Sequence, residues 1–197
     1  MKLTLSIILS FYLSICYCQT YSDEINNKEI SRFFEELKLS KRHEIKKVNS
    51  QIISWEKEQI FGTKDSIKLF LDYENYLLKN DTINKYLSIH DINYIQRQYL
   101  SFKKANWNLS EFKDFELIDS VEINKILNRS IKKKRRLKNN YAYSFSVPLF
   151  SLDKKYVILI EEYYCGFMCS DECIKIYQKI DNSANWKEIA RWSCFAT

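Results

Sequence analysis

Glycine and proline are almost missing from this chain of 197 residues: two glycines, Gly62 and Gly166, and one proline, Pro148. Glycines so few and so far apart cannot build a G-x-G-x-x-G turn, a phosphate-cradling P-loop or a G-x-S-x-G nucleophile elbow, which excludes the chemistries that rest on those loops. Histidine is equally scarce, with only His43 and His90. That rules out an H-E-x-x-H zinc helix, and no D-x-D-x-D-G calcium loop is present. The expectation is a protein without cofactor or metal. Its turns must rest on Asn, Asp and Ser, whose side chains bond back to the local backbone.

The material for a core is plentiful. Hydrophobic residues make up 46% and aromatics 15%, which argues for a packed globular fold and against disorder. The length suits one domain. Residues 1–18 read as a secretory signal: Lys2 gives a positive start, Leu3 to Ile15 is apolar, and small residues Cys16 and Cys18 precede a cleavage point after Cys18. About 13 apolar residues fall short of the roughly 20 needed to span a bilayer. Neither Cys16 nor Cys18 follows the small residue of a lipoprotein signal, since Ile15 and Tyr17 precede them. A periplasmic or extracellular location follows as an expectation.

Residues 19–140 read as helical. Ile30, Phe33, Phe34 and Leu37 recur at helical spacing, and Ile45, Val48, Ile52 and Trp55 continue it after a charged break at Lys41–Arg42. A further segment carries Ile67, Phe70, Leu71, Tyr73 and Leu77. Ser88–Asp91 has the S-x-x-D form of a helix start, followed by Ile92, Ile95 and Tyr99; a last segment carries Phe112, Phe115, Val121, Ile123 and Ile126. His90 beside Asp91 has the composition of an oriented base, but adjacent helical residues point in different directions, so an exposed first-turn residue is the expected role. His43 lies in a charged, solvated stretch. Lys132, Lys133, Lys134, Arg135, Arg136 and Lys138 form a basic run. It is a candidate contact for an anionic polymer, weighed against a plain helix end in which cations complement the dipole. The run holds no aromatic residue to stack on bases, so nucleic acid is not an expected partner.

Residues 141–197 read as an antiparallel sheet in one domain with the helices. Tyr141, Tyr143, Phe145 and Val147 alternate with small residues; Tyr156–Ile160 is apolar throughout, as a central strand would be; Ile174, Ile176 and Ile180 alternate with Lys175, Tyr177 and Lys179; Trp186, Ala190, Trp192 and Cys194 share a face. The predicted fold is α+β, a helical N-terminal half packed on a C-terminal four-stranded meander pinned by disulfides. In an oxidising compartment Cys165, Cys169, Cys173 and Cys194 should pair. A hairpin turning at 181–185 places Cys194 opposite residue 172, which favours Cys173–Cys194 with Cys165–Cys169; the rival is Cys165–Cys173 with Cys169–Cys194. The C-x3-C-x3-C spacing is not that of a zinc site, nor is C-G-F-M-C the C-x-x-C of a redox pair.

Ser146–Ser151 (SVPLFS), Lys155–Tyr156–Val157, Cys165–Cys169 (CGFMC) and the late Trp186 resemble small exported bacterial proteins of unknown function, which carry an S-x-P-x-F strand, a C-G-x-x-C loop and a late tryptophan. The resemblance covers roughly the final quarter of the chain. It departs after Cys169, where Ser170–Cys173 replaces a glycine-rich run. It implies export and architecture and no activity.

No catalytic set is expected, and the functional expectation is a non-catalytic binding or cell-envelope interaction module. Phe167, Met168, Trp186 and Trp192 are its candidate contact surface, and an envelope protein or anionic polymer its partner. The alternative is a carboxylate hydrolase of cell-wall or polysaccharide material through Glu161 or Glu162. These neighbours point to opposite strand faces, so each needs a distant partner such as Glu172 or Glu188.

Overall fold

In the computed structural model, residues 20–41, 45–55, 81–102, 106–108, 112–133, 141–166, 169–180 and 185–196 are described. The elements run α1 (Asn27–Ser40), β1 (Lys47–Asn49), α2 (Asp81–Asn84), α3 (Ile89–Leu100), β2 (Glu116–Ile118), α4 (Ser120–Lys133), β3 (Ala142–Phe145), β4 (Leu149–Phe150), β5 (Tyr156–Gly166), β6 (Cys169–Lys179) and β7 (Trp186–Ala196). The strands form one seven-stranded mixed sheet in the order β2-β1-β3-β5-β6-β7, with β4 paired to β5.

This overturns the expected helical half on a four-stranded meander. Segments at 47–49 and 116–118, read as helical, are strands: β1 is parallel to both β2 and β3, with Val48 opposite Leu117 and Tyr143. The spacing of Ile45, Val48, Ile52 and Trp55 fits a helix numerically. The free edge of β3, however, offers backbone groups that must be paired once buried. The chain meets that demand along its whole run: Ile53 N–H donates to the Phe145 carbonyl at 2.9 Å, and the Trp55 indole N–H donates to the Val147 carbonyl at 2.9 Å. Phe112 and Phe115, read as helical with the segment after them, stand before β2 in a turn. The signal segment and the stretch from Ile67 to Leu77 lie outside the described residues.

Two of the expected helices form where their apolar stripes predicted, and a third forms over the later part of its stripe, from Ser120 on. Asn26 caps α1 by accepting from the Glu29 N–H at 2.9 Å, and Ile30, Phe33, Phe34 and Leu37 are buried. The Ser88 hydroxyl accepts from the Asp91 N–H while Asp91 accepts from the Ser88 N–H, a complete capping box at the start of α3. Ser88→Ala should therefore lower stability by about 1 kcal/mol, read as a shift in the denaturant midpoint without a change in slope. In α4, Ile123 and Ile126 pack with Ile118 and Ala142.

β5 explains the layering. Its alternate residues Val157 and Leu159 lie in one cluster with Phe33, Phe34, Phe145, Tyr177 and Trp186. Ile158 and Ile160 lie in another with Trp55, Ile92, Ile95, Ile174 and Ile176. The period of two therefore sends one set toward α1 and the other toward α3 and α4, with the sheet between. The strand register Ile160↔Ile174 to Tyr156↔Gln178 joins β5 to β6.

Glycine scarcity leaves a mark in the turn between β4 and β5. Ser151 and Asp153 supply the expected side-chain bonds: Tyr156 N–H donates to Ser151 Oγ at 2.9 Å and Lys155 N–H to Asp153 Oδ1 at 3.1 Å. The positive φ, 58°, falls on Lys154, a residue that pays a steric penalty there which glycine would not. Lys154 also forms an ion pair with Glu29 of α1, which ties the turn to the helix.

Candidate functional site

Carboxylates, cations and tyrosines converge where β5, β6 and β7 pass the C-terminal end of α1. Glu161 continues the α1-facing row of β5 and is 2% exposed. Its carboxylate accepts from Lys41 Nζ at 2.6 and 2.8 Å, from Lys175 Nζ at 2.8 Å and from the Tyr177 hydroxyl at 2.6 Å. Lys41, immediately after α1, also donates to Tyr177 Oη at 2.6 Å.

The network continues outward. Lys175 Nζ stands 3.8 Å from Glu188, Glu188 accepts from Arg191 Nε at 2.5 Å, and Arg191 stands 4.0 Å from Asp171. A regular strand would place Glu188 and Arg191 on opposite faces, three residues apart. The pairing shifts by one between Tyr177↔Glu188 and Ile176↔Ala190, and this bulge brings both to one side. Lys41, Lys175 and Arg191 thus face Glu161, Glu188 and Asp171, so the formal charges balance.

Burial alone would raise the pKa of Glu161, but the two ammonium groups and their hydrogen bonds hold it below the ordinary carboxylate range. Burial also lowers Lys41, with the Lys175 ammonium adding to it against the pull of Glu161. Tyr177 is pushed well up by burial and by the adjacent Glu161 charge. Glu161 is therefore a fixed anion with every approach occupied by a donor. It has no proton to give, and an incoming substrate would have to displace an ion pair.

Glu162 points to the opposite face, as the alternation required. There it stands directly across from Glu172 in the β5–β6 register. Tyr164, two residues along, is hydrogen-bonded to Glu162, and burial together with the Glu162 charge raises its pKa. The Ser144 hydroxyl donates to Tyr164 Oη at 3.4 Å and accepts from Asn49 Nδ2 at 3.2 Å. Directly opposed side chains in a sheet have Cβ atoms about 4.5–5.5 Å apart, so the two side chains are neighbours.

The remaining sequence candidates are placed as follows. Trp186, expected on a contact surface, is 5% exposed; its indole N–H donates to the buried Glu36 at 2.9 Å. It is a core residue, because α1 covers the face of β7 on which it sits. Trp192 lies in β7 opposite Ile174. Phe167 and Met168 lie outside the described residues, as do His43 and the basic residues Lys134, Arg135, Arg136 and Lys138; Lys132 and Lys133 end α4. His90 is exposed. Asp91 is engaged by Ser88 and by the Leu152 N–H at 2.9 Å; these bonds hold its pKa down against burial. It is a cap.

Cys173 and Cys194 form a disulfide, and Cys165 is also disulfide-bonded. An uninterrupted hairpin would have put residue 172 across from Cys194. The shift between Glu172↔Phe195 and Ile174↔Trp192 instead leaves Cys173 and Cys194 in a bulge, where their sulfurs meet. With a sequence separation of 21, Cys194→Ser should cost about 3 kcal/mol of stability on loop-closure grounds; equilibrium denaturation of the oxidised proteins measures it.

Lys41 and Tyr177 had no functional signal in the sequence. Lys41 sat in an apparent helix break. Tyr177 and Lys175 looked like the polar side of an alternating strand. The available clue was that β6 is an interior strand, so its Lys-Tyr row had to be buried and paired. No known protein family, curated protein or solved structure matches this chain.

Proposed function

We propose that the protein is an exported, non-catalytic binding module of the cell envelope, acting in the periplasm or outside the cell. The observation that carries this reading is the charge-balanced array on rigid strands: a core of Glu161, Lys175 and Tyr177 whose rim, Asp171 and Arg191, reaches solvent beside the half-buried Tyr163, which stands opposite Asp171. Such a rim is pre-organised by the Cys173–Cys194 bridge and suits a polar or charged partner, an envelope protein or an anionic polymer. The resemblance to small exported bacterial proteins of unknown function supports the export in this reading.

The test is retention of the full chain on isolated envelope fractions. Arg191→Glu and Tyr163→Ala should each weaken retention by about tenfold or more if they are interface anchors; retention unchanged in both overturns the assignment of this face. Export is read separately, from periplasmic or culture fractions carrying a new N-terminus at Gln19.

A second reading rests on a different observation, the opposition of Glu162 and Glu172. A pair of carboxyl groups about 5–5.5 Å apart is what cleaves glycosides with retention, one as nucleophile and one as acid and base. Glu162→Gln and Glu172→Gln would each abolish any such hydrolysis of envelope polysaccharide, and turnover surviving both would remove this reading.

A further inference from the structure

The sulfurs of Cys173 and Cys194 and a carboxylate oxygen of Asp171 lie within 4.8 Å of one another. Asp171 Oδ1 approaches Cys173 Sγ to 3.2 Å. Its other oxygen faces Arg191 at 4.0 Å, which orients the carboxylate toward the sulfurs. Two sulfurs and one oxygen from the protein, with a fourth position left for water, are a donor set for a borderline-soft divalent ion such as zinc. Tetrahedral ligation with Zn–S of about 2.3 Å would need the sulfurs about 3.7 Å apart, so the bridge and the metal exclude each other.

We propose that reduction of the Cys173–Cys194 bridge converts it into a divalent-metal site made of both thiolates and the Asp171 carboxylate, with Arg191 as the outer partner. The charges explain why the two states alternate. A Cys173 thiolate released beside Asp171 is repelled by that carboxylate, which keeps the metal-free pair as a disulfide or as neutral thiols. Once a metal is present, two thiolates and one carboxylate are matched by the divalent ion and the Arg191 guanidinium. Glutathione reaches the pair from one side, because Cys194 is exposed and Cys173 is buried. Its thiolate attacks Cys194 Sγ, forming a mixed disulfide and releasing the Cys173 thiolate. A second glutathione thiolate attacks the glutathione sulfur, freeing Cys194 and leaving oxidised glutathione. Two electrons pass from two glutathiones to the bridge, and the metal then displaces any proton the thiols hold.

The experiment uses the full chain with Cys16, Cys18, Cys165 and Cys169 replaced by serine, so that Cys173 and Cys194 are its only cysteines. Cobalt(II) added to the reduced protein should develop a sulfur-to-metal charge-transfer absorption saturating at one equivalent, and the oxidised protein should show none. Asp171→Asn should weaken binding by at least about tenfold, since even outer partners of metal ligands are worth 10–100-fold. In a glutathione couple held at constant free zinc ten times the dissociation constant, half-reduction should require an equilibrium ratio about tenfold less reducing than without zinc. Absence of the charge-transfer band, affinity untouched by Asp171→Asn, or a reduction midpoint unmoved by zinc would each overturn the proposal. If the serine background does not fold, the zinc-dependent midpoint of the Cys173–Cys194 bridge is read by mass spectrometry in the unaltered chain, with and without Asp171→Asn, and the same two outcomes decide.

Discussion

Glu161→Leu is expected to cost about 3–5 kcal/mol of unfolding free energy, the range measured when one member of a buried ion pair is removed. The loss arises because Lys175, with a side chain 6% exposed, and Lys41, at 15%, would keep their charges with their shared counterion gone. Glu188 stands 3.8 Å from Lys175 and is itself engaged by Arg191, so it offsets little of this. The cost should largely disappear in the fourfold change Lys41→Met, Glu161→Leu, Lys175→Met and Tyr177→Phe, since well-packed apolar replacements of buried ion clusters are commonly neutral or stabilising. Chemical denaturation of both variants checks the prediction. A Glu161→Leu protein as stable as the fourfold variant would mean that the network carries no coupling.

The same group sets a pH dependence. Glu161 has a folded pKa below its unfolded value, so between the two the unfolded state binds more protons and stability rises with pH. Its contribution is complete above the ordinary carboxylate range and is lost as pH falls through the depressed folded value. The stability gap between wild type and Glu161→Leu should therefore be widest near neutrality and close in acid. Glu36 and Asp91 are also depressed, by their hydrogen bonds with Arg32 and with Ser88 against burial. They add to the acid sensitivity of the wild type and of the variant alike, and so leave the gap itself to Glu161.

Phe33→Ala should have a comparable effect, about 3–5 kcal/mol, as the cost of lost transfer free energy and of the cavity left behind. Phe33 is 1% exposed and makes edge-on ring contacts with Phe34, Phe150, Tyr177 and Trp186, with centroids 5.2, 5.8, 6.3 and 5.1 Å away. These contacts seat α1 on β4, β6 and β7. Because α1 delivers Lys41 to Glu161, the substitution should also loosen the ion network, so its effect and that of Glu161→Leu should be non-additive. Leu39→Ala, on the same helix at a position 70% exposed, should stay within about 0.5 kcal/mol. Thermal or denaturant unfolding of the wild type, the three single variants and the Phe33→Ala/Glu161→Leu double variant gives the comparison; strict additivity would separate the helix seat from the network.

Much of the local structure was written in the sequence. The apolar spacing of Ile30, Phe33, Phe34 and Leu37 reports a helix because a 3.6-residue period leaves one stripe to bury. Ser88 and Asp91 report its sister's start through a capping box that involves only neighbours. The unbroken apolar run Tyr156–Ile160 reports a strand covered on both faces. Opposite faces for Glu161 and Glu162 follow from the pleat alone. All of these depend on residues close together in the chain.

What the tertiary structure decided depends on residues far apart. Val48 became a strand residue because β3 had an edge to be paired, a demand no local spacing expresses. Trp186 went into the core because α1 lies over it. Lys41 found Glu161 across 120 positions, and Tyr177 closed the same network, only because α1 covers the face of the sheet on which the paired strands β5 and β6 place Glu161 and Tyr177. The two bulges in β7 set which residues could meet, bringing Glu188 beside Arg191 and Cys194 onto Cys173. The scarcity of glycine had its counterpart here, in a lysine at position 154 held at positive φ by the bonds of the turn around it. Periodicity fixes which side of an element is apolar, while register and packing choose the partners, and in this protein the buried charges belong to the partners.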